Sequence, residues 1–419
     1  MSEFDLTDDQ KAAMAAFAHF MLSDESEMVI SGQAGVGKTT LLAHLFNERP
    51  HEKLAKMIRQ PVLTNWHFTA TTNKAAEVLS QSLDYEATTI HSLLSLRVYN
   101  DIETGKTKIT RRGDADVITD SIIIIDEASM VDTQLLSFIR KGTFRCKIVF
   151  IGDHCQMAPV MEPNSPMFFN SDPVFINQIV RSKGTPPITA LSKQLRQIVE
   201  TGEFTPILEV PGTIDYLNSK EAEELIRNKF HSNETDSRIL CYTNATVVAY
   251  NRHIRNLRGL PEEPSPGEHL ITNNAVKIGK RMLHIEQEIV INKNLGESEF
   301  RPTDTNLLLP VHLVDTNAGV LSVPVNGQDY QNMIKQCARQ KNWPAYFSLK
   351  ELVADLRPRD ACTVYKAQGS TYRDVFVNLT DIGKCTNPSQ AARMLYVACT
   401  RPTHNIYFIG QLPERFQGK

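Results

Sequence analysis

The sequence lacks the features that mark several large classes of protein. Its 419 residues carry a net charge of only −3, so no basic surplus marks the whole chain as a nucleic-acid binder, and any such binding needs a local basic groove. Its seven cysteines are an odd number and contain no Cys-x-x-Cys pair. This argues against a zinc site and a disulfide framework, and it indicates reduced thiols.

Long apolar runs are also missing. No segment approaches the length needed to cross a membrane, and the acidic N-terminal residues lack the apolar core of a signal peptide. What remains is an ordinary globular composition, with 41% hydrophobic and 22% charged residues. A chain of this length has room for roughly two to four domains. We expect a cytoplasmic protein without a membrane partner.

The most informative segment that is present is 28–40, where an apolar strand runs into a glycine-rich loop. The loop fills the pattern G-x-x-x-x-G-K-[ST] with Gly32, Gly37, Lys38 and Thr39. The glycines, Gly35 among them, let backbone N–H groups turn inward around phosphate oxygens, at the positive end of the following helix. Lys38 would reach the β- and γ-phosphates of a nucleotide, and the hydroxyl of Thr39 would hold Mg²⁺. A glycine turn without a ligand is the alternative, and the flanking strand and helix patterns disfavour it.

Hydrophobic strands alternate with helical patterns through the first half of the chain, which predicts a parallel α/β sheet. Strands are predicted at 28–31, 66–70, 121–125 and 147–151, and helices at 7–22, 38–48, 73–83 and 132–141. The run of isoleucines at 122–125 is typical of a central strand that is buried on both faces.

Residues 96–112 interrupt this alternation. Apolar and polar residues alternate there around a Glu-Thr-Gly-Lys turn at 103–106, which predicts a β-hairpin that projects from the first sheet. The segment carries five basic side chains. A solvated surface hairpin without a function is the alternative.

A second α/β pattern begins near 237, with a strand at 238–242 and a helix that extends to Leu257. Several prolines then mark a boundary, and from 268 to 350 short strands and turns predict a small inserted β-barrel. The α/β pattern resumes with strands at 361–365, 373–379 and 405–409 and a helix at 388–400. The second half is therefore predicted to be an α/β unit that is split by an inserted domain.

Carboxylates and a glutamine follow two of the predicted strands. Asp126 and Glu127 close the isoleucine strand, at the sheet edge where the glycine-rich loop lies. Asp126 would bind Mg²⁺, directly or through water, and Glu127 would orient and deprotonate an attacking water. The next strand ends in Gly152-Asp153, and Gln156 three residues on could sense a γ-phosphate, although ordinary turn chemistry produces the same sequence as readily.

These segments together resemble the superfamily 1 DNA helicases, in the branch that contains RecD and the phage Dda helicase. The resemblance covers nearly the whole chain in the expected order, at segments 6–10, 69–76, 88–92, 126–130, 152–160, 179–182, 364–371 and 395–401. Three positions depart from the family pattern, and none of them removes a catalytic group. Thr71 replaces a usual proline, Tyr365 a usual histidine, and Pro402-Thr403 a small residue and an arginine.

The resemblance implies an α/β fold of two RecA-like P-loop lobes with parallel sheets. The first lobe would span 1–180, with the hairpin at 96–112 as the pin that splits a duplex at the fork. The second lobe would comprise 181–265 and 356–419, and the inserted residues 266–355 would form a small SH3-like β-barrel.

The resemblance also implies roles for individual residues. The expected catalytic residues are Lys38, Glu127, Gln156 and two arginine fingers, Arg181 and Arg401. Nucleotide contacts are expected at Gln10, which would read adenine, and at Gly32, Gly35, Gly37, Lys38, Thr39, Thr40 and Asp126, with Thr39 and Asp126 as the Mg²⁺ ligands. Contacts to single-stranded DNA are expected at Thr72, Lys74 and His91 in one lobe and at Thr243, Asn244, Thr363, Tyr365 and Lys366 in the other. A helix cap or a solvated side chain is the alternative for each DNA contact.

The activity implied by the resemblance is ATP-dependent DNA unwinding, with ATP and Mg²⁺ as cofactors and single-stranded and forked duplex DNA as partners. Translocation from 5′ to 3′ is implied by the branch alone. We also expect action as a monomer on DNA, contacts with single-strand-binding or replication proteins, and a role in replication or recombination.

Three other functions compete with this one. The first is a DNA-stimulated ATPase that translocates or remodels protein–DNA complexes without processive unwinding. A GTPase or a small kinase is disfavoured, since 73–76 lacks the aspartate of a guanine-reading motif and a kinase would not need the second α/β unit. A DNA-binding scaffold with an inactive ATP site is disfavoured because every catalytic residue type is present.

Overall fold

The computed structural model describes residues 6–33, 35–100, 107–159, 162, 164–169, 172–178, 185–232, 235–279 and 281–416. Within these ranges lie two parallel sheets of six and five strands and one five-stranded antiparallel sheet. The predicted α/β class with parallel sheets is confirmed. Among the described helices, none combines the length and the apolar character needed to cross a membrane.

The first sheet is wholly parallel. In spatial order its strands are Val174–Ile176, Glu27–Gly32, Lys147–Gly152, Ser121–Asp126, Asn65–Ala70 and Ala87–Thr89. The isoleucines at 122–125 are fully buried, and each contributes about 1.5–3 kcal/mol of burial free energy. All strands predicted for this half are confirmed, and their parallel order brings their carboxyl ends to one edge of the sheet.

Helices cover both faces of this sheet and complete the first lobe. They are Asp8–Leu22, Lys38–Glu48, Pro50–Ile58, Asn73–Leu83, Ile90–Leu93, Thr133–Gly142 and Pro166–Phe169, with a 3₁₀ turn at Ala128–Met130. One helical layer packs Phe17 and Leu41 against the sheet, and the other packs Leu135 and Ile139. A short parallel strand pair, Ile118–Thr119 with Thr143–Phe144, accompanies this lobe.

The predicted hairpin is present as two antiparallel strands, Leu96–Asn100 and Thr107–Arg111. Its predicted turn at 103–106 lies outside the described residues. The guanidinium of Arg111 donates to the carbonyl oxygens of Leu94 at 3.2 Å and Asp116 at 2.6 Å. These two bonds fix the base of the hairpin to the first lobe.

The second sheet is also parallel and forms the core of a second lobe. In spatial order its strands are Ile214–Leu217, Pro402–Ile409, Tyr372–Asn378, Ser237–Cys241 and Ala361–Thr363. Its helices are Pro186–Thr201, Ser219–Lys229, Asn244–Leu257, Leu379–Ile382 and Pro388–Cys399, with a 3₁₀ turn at Glu414–Phe416. The helix Pro186–Thr201, which the sequence patterns did not predict, packs Leu191 and Leu195 into the core of this lobe.

An inserted unit separates the helix Asn244–Leu257 from the strand Ala361–Thr363. In spatial order its antiparallel sheet contains Gly319–Pro324, Leu309–Thr316, Glu288–Phe300, His269–Thr272 and Leu356–Pro358, and a separate hairpin pairs Val276–Ile278 with Arg281–Leu283. The strand Leu356–Pro358 begins where the predicted division returns the chain to the second lobe, yet it pairs with the inserted sheet. Just before the strand Leu356–Pro358, the backbone N–H of Ala354 donates to the carbonyl of Ser322, in the strand at the opposite edge, at 2.8 Å.

Two helices in the inserted unit, Gly327–Arg339 and Trp343–Leu352, contradict the prediction of strands and turns throughout 268–350. The side chain of Asn326 accepts from the N–H groups of Gln328 and Asp329 and so starts the first of them. This helix then buries Tyr330 and Cys337 in a small core beside the sheet. Asn-Gly at 326–327 is therefore a helix start, whereas the sequence pattern had placed a turn there.

Candidate active site between the two lobes

A glycine-rich loop leads into the helix Lys38–Glu48 at the carboxyl edge of the first sheet. Gly37 adopts a left-handed backbone with φ of 77°, which costs glycine no strain. A Cβ on Gly32 would lie 2.8 Å from the side chain of Val36 and 3.1 Å from the carbonyl oxygen of Ile176, so a larger residue does not fit. Among the described residues no side chain caps this helix, and the N–H groups of its first turn are available to a phosphate.

Lys38 lies folded against its own loop. Its Nζ donates to the carbonyl oxygens of Gly32 at 2.8 Å and Gln33 at 3.2 Å. The ammonium group is thus held beside the space where the loop would receive phosphates.

Gln10 binds the backbone of the glycine-rich loop. Its Nε2 donates to the carbonyl oxygens of Val36 at 2.9 Å and Gly37 at 3.3 Å, and its Oε1 accepts from the backbone N–H of Thr7 at 2.9 Å. The side chain is only 1% exposed. These contacts make Gln10 part of the loop scaffold, and its expected contact with adenine stays a prediction.

Two carboxylates follow the strand Ser121–Asp126 at the same edge. One oxygen of Asp126 accepts from the backbone N–H of Glu127 at 2.9 Å, and Glu127 has a left-handed backbone with φ of 53°. The pKa of both carboxyl groups is raised, chiefly by burial, and the charge of Asp126 raises the pKa of Glu127 further. The positive charge of the nearby Lys38 opposes this rise in both groups.

One carboxylate oxygen of Glu127 indicates whether the site fits a nucleotide with its metal. Glu127 Oε2 is buried and has no hydrogen-bond partner among the described residues. A buried carboxylate oxygen without a partner is costly unless a ligand, a water or a cation satisfies it. Together with the hydroxyl of Thr39 and the carboxylate of Asp126, which are ligand types that Mg²⁺ prefers, the site fits a magnesium–nucleotide complex.

The second lobe faces these residues across an interlobe cleft. Its lining includes Gly35, Gly37, Lys38, Thr39, Asp126, Glu127 and Gln156 from the first lobe and Gly369, Thr371, Thr400 and Arg401 from the second. Most predicted nucleotide and catalytic residues are thus brought together. Gly32 and Gln10 lie behind the loop, and Thr40 follows in the first turn of the helix.

Arg401 is held by its own lobe at the cleft wall. It is 5% exposed, and its guanidinium donates to the carbonyl oxygens of Val397 at 3.1 Å and Ser370 at 3.2 Å and to the hydroxyl of Thr400 at 2.9 Å. The other expected arginine finger, Arg181, lies outside the described residues.

Gln156 is contacted from the second lobe. Nε2 of Gln368 donates to Oε1 of Gln156 at 3.0 Å and to the hydroxyl of Ser129 at 3.1 Å. Lys74 makes another interlobe contact, from its Nζ to the hydroxyl of Ser370 at 2.7 Å. The cleft is therefore bridged by direct polar contacts in this structure.

Asp153 is a buried interlobe acceptor that the sequence analysis did not identify. Its carboxylate accepts from the guanidinium of Arg196 at 2.9 Å and from the hydroxyl of Tyr396 at 2.6 Å, and it is fully buried. Arg196 also pairs with Glu200 at 3.0 Å. The sequence does carry a signal for Arg196, which is a charged residue on the buried side of an amphipathic helix. Buried charges are nearly always paired, so a partner for Arg196 could have been expected.

The predicted DNA contacts of the first lobe lie in two places. The hydroxyl of Thr72 accepts from the backbone N–H of Ala75 at 3.2 Å and so caps the helix Asn73–Leu83. Thr72 and His91 share a groove with Leu96 and Ile109 of the hairpin. Burial lowers the pKa of His91. Lys74 instead reaches Ser370 of the second lobe.

The predicted DNA contacts of the second lobe mostly have partners inside the protein. The hydroxyl of Thr243 donates to Asp381 at 2.8 Å, the hydroxyl of Tyr365 accepts from Gln390 at 2.7 Å, and Lys366 donates to Asn273 at 3.0 Å and to Glu286 of the inserted unit. Thr363 is 9% exposed, whereas Asn244 is exposed at the start of its helix.

Asp381 holds the first residues of the helix Asn244–Leu257 in place. Burial opposes its ionisation, but the Lys384 ammonium and the hydrogen bonds from Thr243 and Thr246 hold the pKa of Asp381 at about 2. The hydroxyl of Thr243 therefore already has a strong acceptor inside the protein.

Known proteins match both lobes of this chain. Residues 5–205 match the family described as an AAA domain, and residues 360–409 match the family described as a UvrD-like helicase C-terminal domain. The first match contains the glycine-rich loop and the two carboxylates, and the second contains Arg401.

The relatives extend the likeness to the whole chain. The ATP-dependent DNA helicase dda of Enterobacteria phage T4 is 22% identical over 457 residues, covering 97% of this chain and 99% of that protein. The RecBCD enzyme subunit RecD of Haemophilus influenzae is 26% identical over 169 residues, covering 37% of this chain and 24% of that protein. The fold is also similar to the crystal structure of Pif1 helicase from Bacteroides in complex with ADP-AlF3 and ssDNA, with a TM-score of 0.54 and 14% sequence identity. This match covers 100% of this chain and 95% of the Pif1 chain. The fold is therefore shared with Pif1.

Proposed function

We propose that this chain is a superfamily 1 helicase of the Dda, Pif1 and RecD-like type, which hydrolyses ATP between its lobes to move along single-stranded DNA and to unwind duplex DNA. One observation carries the proposal. Lys38 and Glu127 from the first lobe and Arg401 from the second line the same cleft, which supports a hydrolysis that depends on closure of the lobes.

The first lobe would supply the nucleotide-binding groups. The loop N–H groups and Lys38 would hold the phosphates, and Thr39 and Asp126 would hold Mg²⁺, which supplies positive charge against the phosphate oxygens. Glu127 would orient a water for attack on the γ-phosphorus and accept its proton as the bond to the β-phosphate oxygen breaks, giving ADP and phosphate.

The second lobe would complete the site only when the cleft closes. Arg401 would stabilise the charge that develops on the transferred phosphoryl group, and such arginines contribute about 10³–10⁵ in rate. Arg181 remains our prediction for a second arginine finger, and Gln156 our prediction for the γ-phosphate sensor. Closing and reopening would move the lobes relative to a bound strand.

Grip on the strand would be divided between the lobes. We propose Thr72, Lys74 and His91 in the first lobe, and Thr243, Asn244, Thr363, Tyr365 and Lys366 in the second, as contacts to single-stranded DNA. The groove that joins Thr72 and His91 to the hairpin supports this proposal, because a strand bound there would lie beside the hairpin.

The hairpin and the inserted unit would act at the fork. We propose the hairpin at 96–112 as the pin that separates the strands and the inserted residues as an SH3-like unit, with lobe boundaries near 180, 265 and 355. We further propose movement from 5′ to 3′ by a monomer on a single strand.

A tailed-duplex assay tests the chemistry, the substrate and the direction together. Duplexes with a 5′ single-stranded tail should be unwound with ATP, and matched duplexes with a 3′ tail should not. The reverse preference would contradict the proposed polarity. Hydrolysis that single-stranded DNA stimulates, without strand separation on either duplex, would instead identify a translocating or remodelling ATPase.

A further inference from the structure

The loop that carries Gln156 belongs to the first sheet by chain connection but to the second lobe by packing. Cys155 and Met157 are 0% and 1% exposed and pack in the hydrophobic core of the second lobe, together with Leu195 and Leu395. The carboxylate of Asp153 is bound from the same side, as described above. The loop is therefore anchored in the lobe that lies across the cleft from the glycine-rich loop.

Arg393 holds the backbone of this loop. It lies on the helix Pro388–Cys399, and its Nη1 donates to the carbonyl oxygen of Gln156 at 2.7 Å and to that of His154. Its Nη2 donates to the side-chain oxygen of Asn164 at 2.6 Å. One guanidinium thus binds the carbonyl groups of the two residues that flank Cys155.

Arg393 does this without entering the cleft. It lines a cavity with Met157, Phe168 and Phe175, whereas Gln156 lines both this cavity and the interlobe cleft. Any effect of Arg393 on the nucleotide must therefore pass through the loop.

We propose that Arg393 is a positioning residue that fixes Gln156 in the cleft by binding its backbone to the second lobe, so that Gln156 moves with the second lobe when the cleft opens and closes. This inference rests on the proposed ATP hydrolysis. A planar guanidinium can donate to two carbonyls and an amide at once, whereas a lysine ammonium is a single point of charge on a flexible stem. Arg393→Lys should keep the charge and lose the alignment of the loop.

Arg415→Lys is the matched control. Arg415 lies in the same lobe, and its Nη2 likewise donates to two loop carbonyls, those of Gly383 at 2.8 Å and Cys385 at 3.2 Å. Neither carbonyl belongs to the loop that carries Gln156, so this variant reports the general cost of losing an arginine fork.

Steady-state kinetics with ATP and a single-stranded oligonucleotide provide the first readout. We expect Arg393→Lys to lower kcat about tenfold with KM for ATP within about twofold, because nucleotide binding by the first lobe is untouched. Arg415→Lys should keep the kcat of the parent protein. In a Gln156→Ala background, Arg393→Lys should lower kcat no further, since two residues that act as one unit are not additive. Equal kcat for Arg393→Lys and the parent, or an additive loss in the double variant, would overturn the inference.

An interlobe distance gives a readout that does not need hydrolysis. All seven cysteines are buried, so dyes can be placed on Met57→Cys in the first lobe and Leu208→Cys in the second, at positions that are 80% and 75% exposed. We expect a non-hydrolysable ATP analogue to change energy transfer in the parent protein and in Arg415→Lys, and to change it much less in Arg393→Lys. The same change in all three proteins would overturn the inference. If the parent protein does not hydrolyse ATP, the proposed function fails, while the distance measurement still decides the role of Arg393.

Discussion

The nucleotide cleft and the predicted strand-binding residues differ in how their side chains are occupied. In the cleft, Glu127 has a buried oxygen without a partner among the described residues, a left-handed backbone and a raised pKa. Among the strand-binding candidates, Thr243 donates to Asp381, and Lys366 pairs with Glu286. Lys38 and Arg401 of the cleft also have partners in the protein, so the contrast rests on the carboxylate of Glu127, which keeps an oxygen for a ligand.

This difference has a physical origin. Phosphoryl transfer needs particular groups at particular distances, so strain and unpaired polar atoms persist at such a site because the chemistry requires them. Holding a sugar–phosphate backbone without reading its sequence needs only hydroxyls, amides and cations, which cap helices and form ion pairs just as well. The type of a residue therefore predicts a catalytic role far better than it predicts a contact with a DNA strand.

Lys38→Ala tests the proposed catalytic role of the cleft residues and should have the largest effect of the variants considered. Losing the ammonium that faces the phosphates should lower DNA-stimulated ATP hydrolysis by at least about 10³-fold. Affinity for a single-stranded oligonucleotide should change by less than about twofold, since the proposed strand contacts lie elsewhere.

Two measurements decide the outcome for Lys38→Ala, namely phosphate release and oligonucleotide anisotropy. Lys53→Ala removes an exposed lysine of the same lobe, 68% accessible at its side chain, and should behave as the parent protein. Substantial turnover by Lys38→Ala would mean that the glycine-rich loop does not bind the phosphates.

Most of the first lobe was predictable because its signals are local. The isoleucines at 122–125 and the spacing of Gly32, Gly37 and Lys38 each lie within a few residues, and the structure has the strand and the loop where the sequence predicts them. Residues 326–327 show where local reasoning fails, because an asparagine before a glycine serves a turn or a helix start equally well. The burial of Tyr330 and Cys337 decided for the helix, and burial depends on the rest of the fold.

The contacts across the cleft could not be predicted from local patterns. Arg393 and Gln156 lie 237 positions apart in the chain, and Asp153 and Tyr396 lie 243 apart. Each of these residues fits an ordinary turn or helix when it is read alone. Only the docking of the two lobes turns them into partners, and nothing in the spacing of either segment encodes that docking.

Lys366→Ala tests whether a strand-binding candidate that already has a partner in the protein contacts DNA, and its effect should be intermediate. If Lys366 exchanges Glu286 for a phosphate when DNA binds, its loss should weaken single-strand binding about three- to tenfold and reduce the slope of log K against log salt by about 0.7. Titrations of a labelled oligonucleotide at several salt concentrations measure both quantities.

Glu286→Gln is the matched control for Lys366. It removes the competing carboxylate but leaves the lysine, so binding should be unchanged or tighter. An unchanged salt slope in Lys366→Ala, combined with lower thermal stability in both variants, would make Lys366 a structural tie to the inserted unit.

His51 tests whether a perturbed pKa by itself marks function, and its expected effect is the smallest. His51 is fully buried between Phe17 and Trp66, and burial lowers its pKa from 6.5. The unfolded chain therefore binds a proton at this residue more readily, so the free energy of unfolding should fall as pH drops below about 6.5. In His51→Gln the loss between pH 7 and pH 5 should be smaller in urea titrations, while ATP hydrolysis at pH 7 is retained. His19→Gln, at an exposed position of the same lobe, is the matched control for the substitution itself. A loss of hydrolysis in His51→Gln without a loss of stability would contradict the structural role and would extend the functional site into the core of the first lobe.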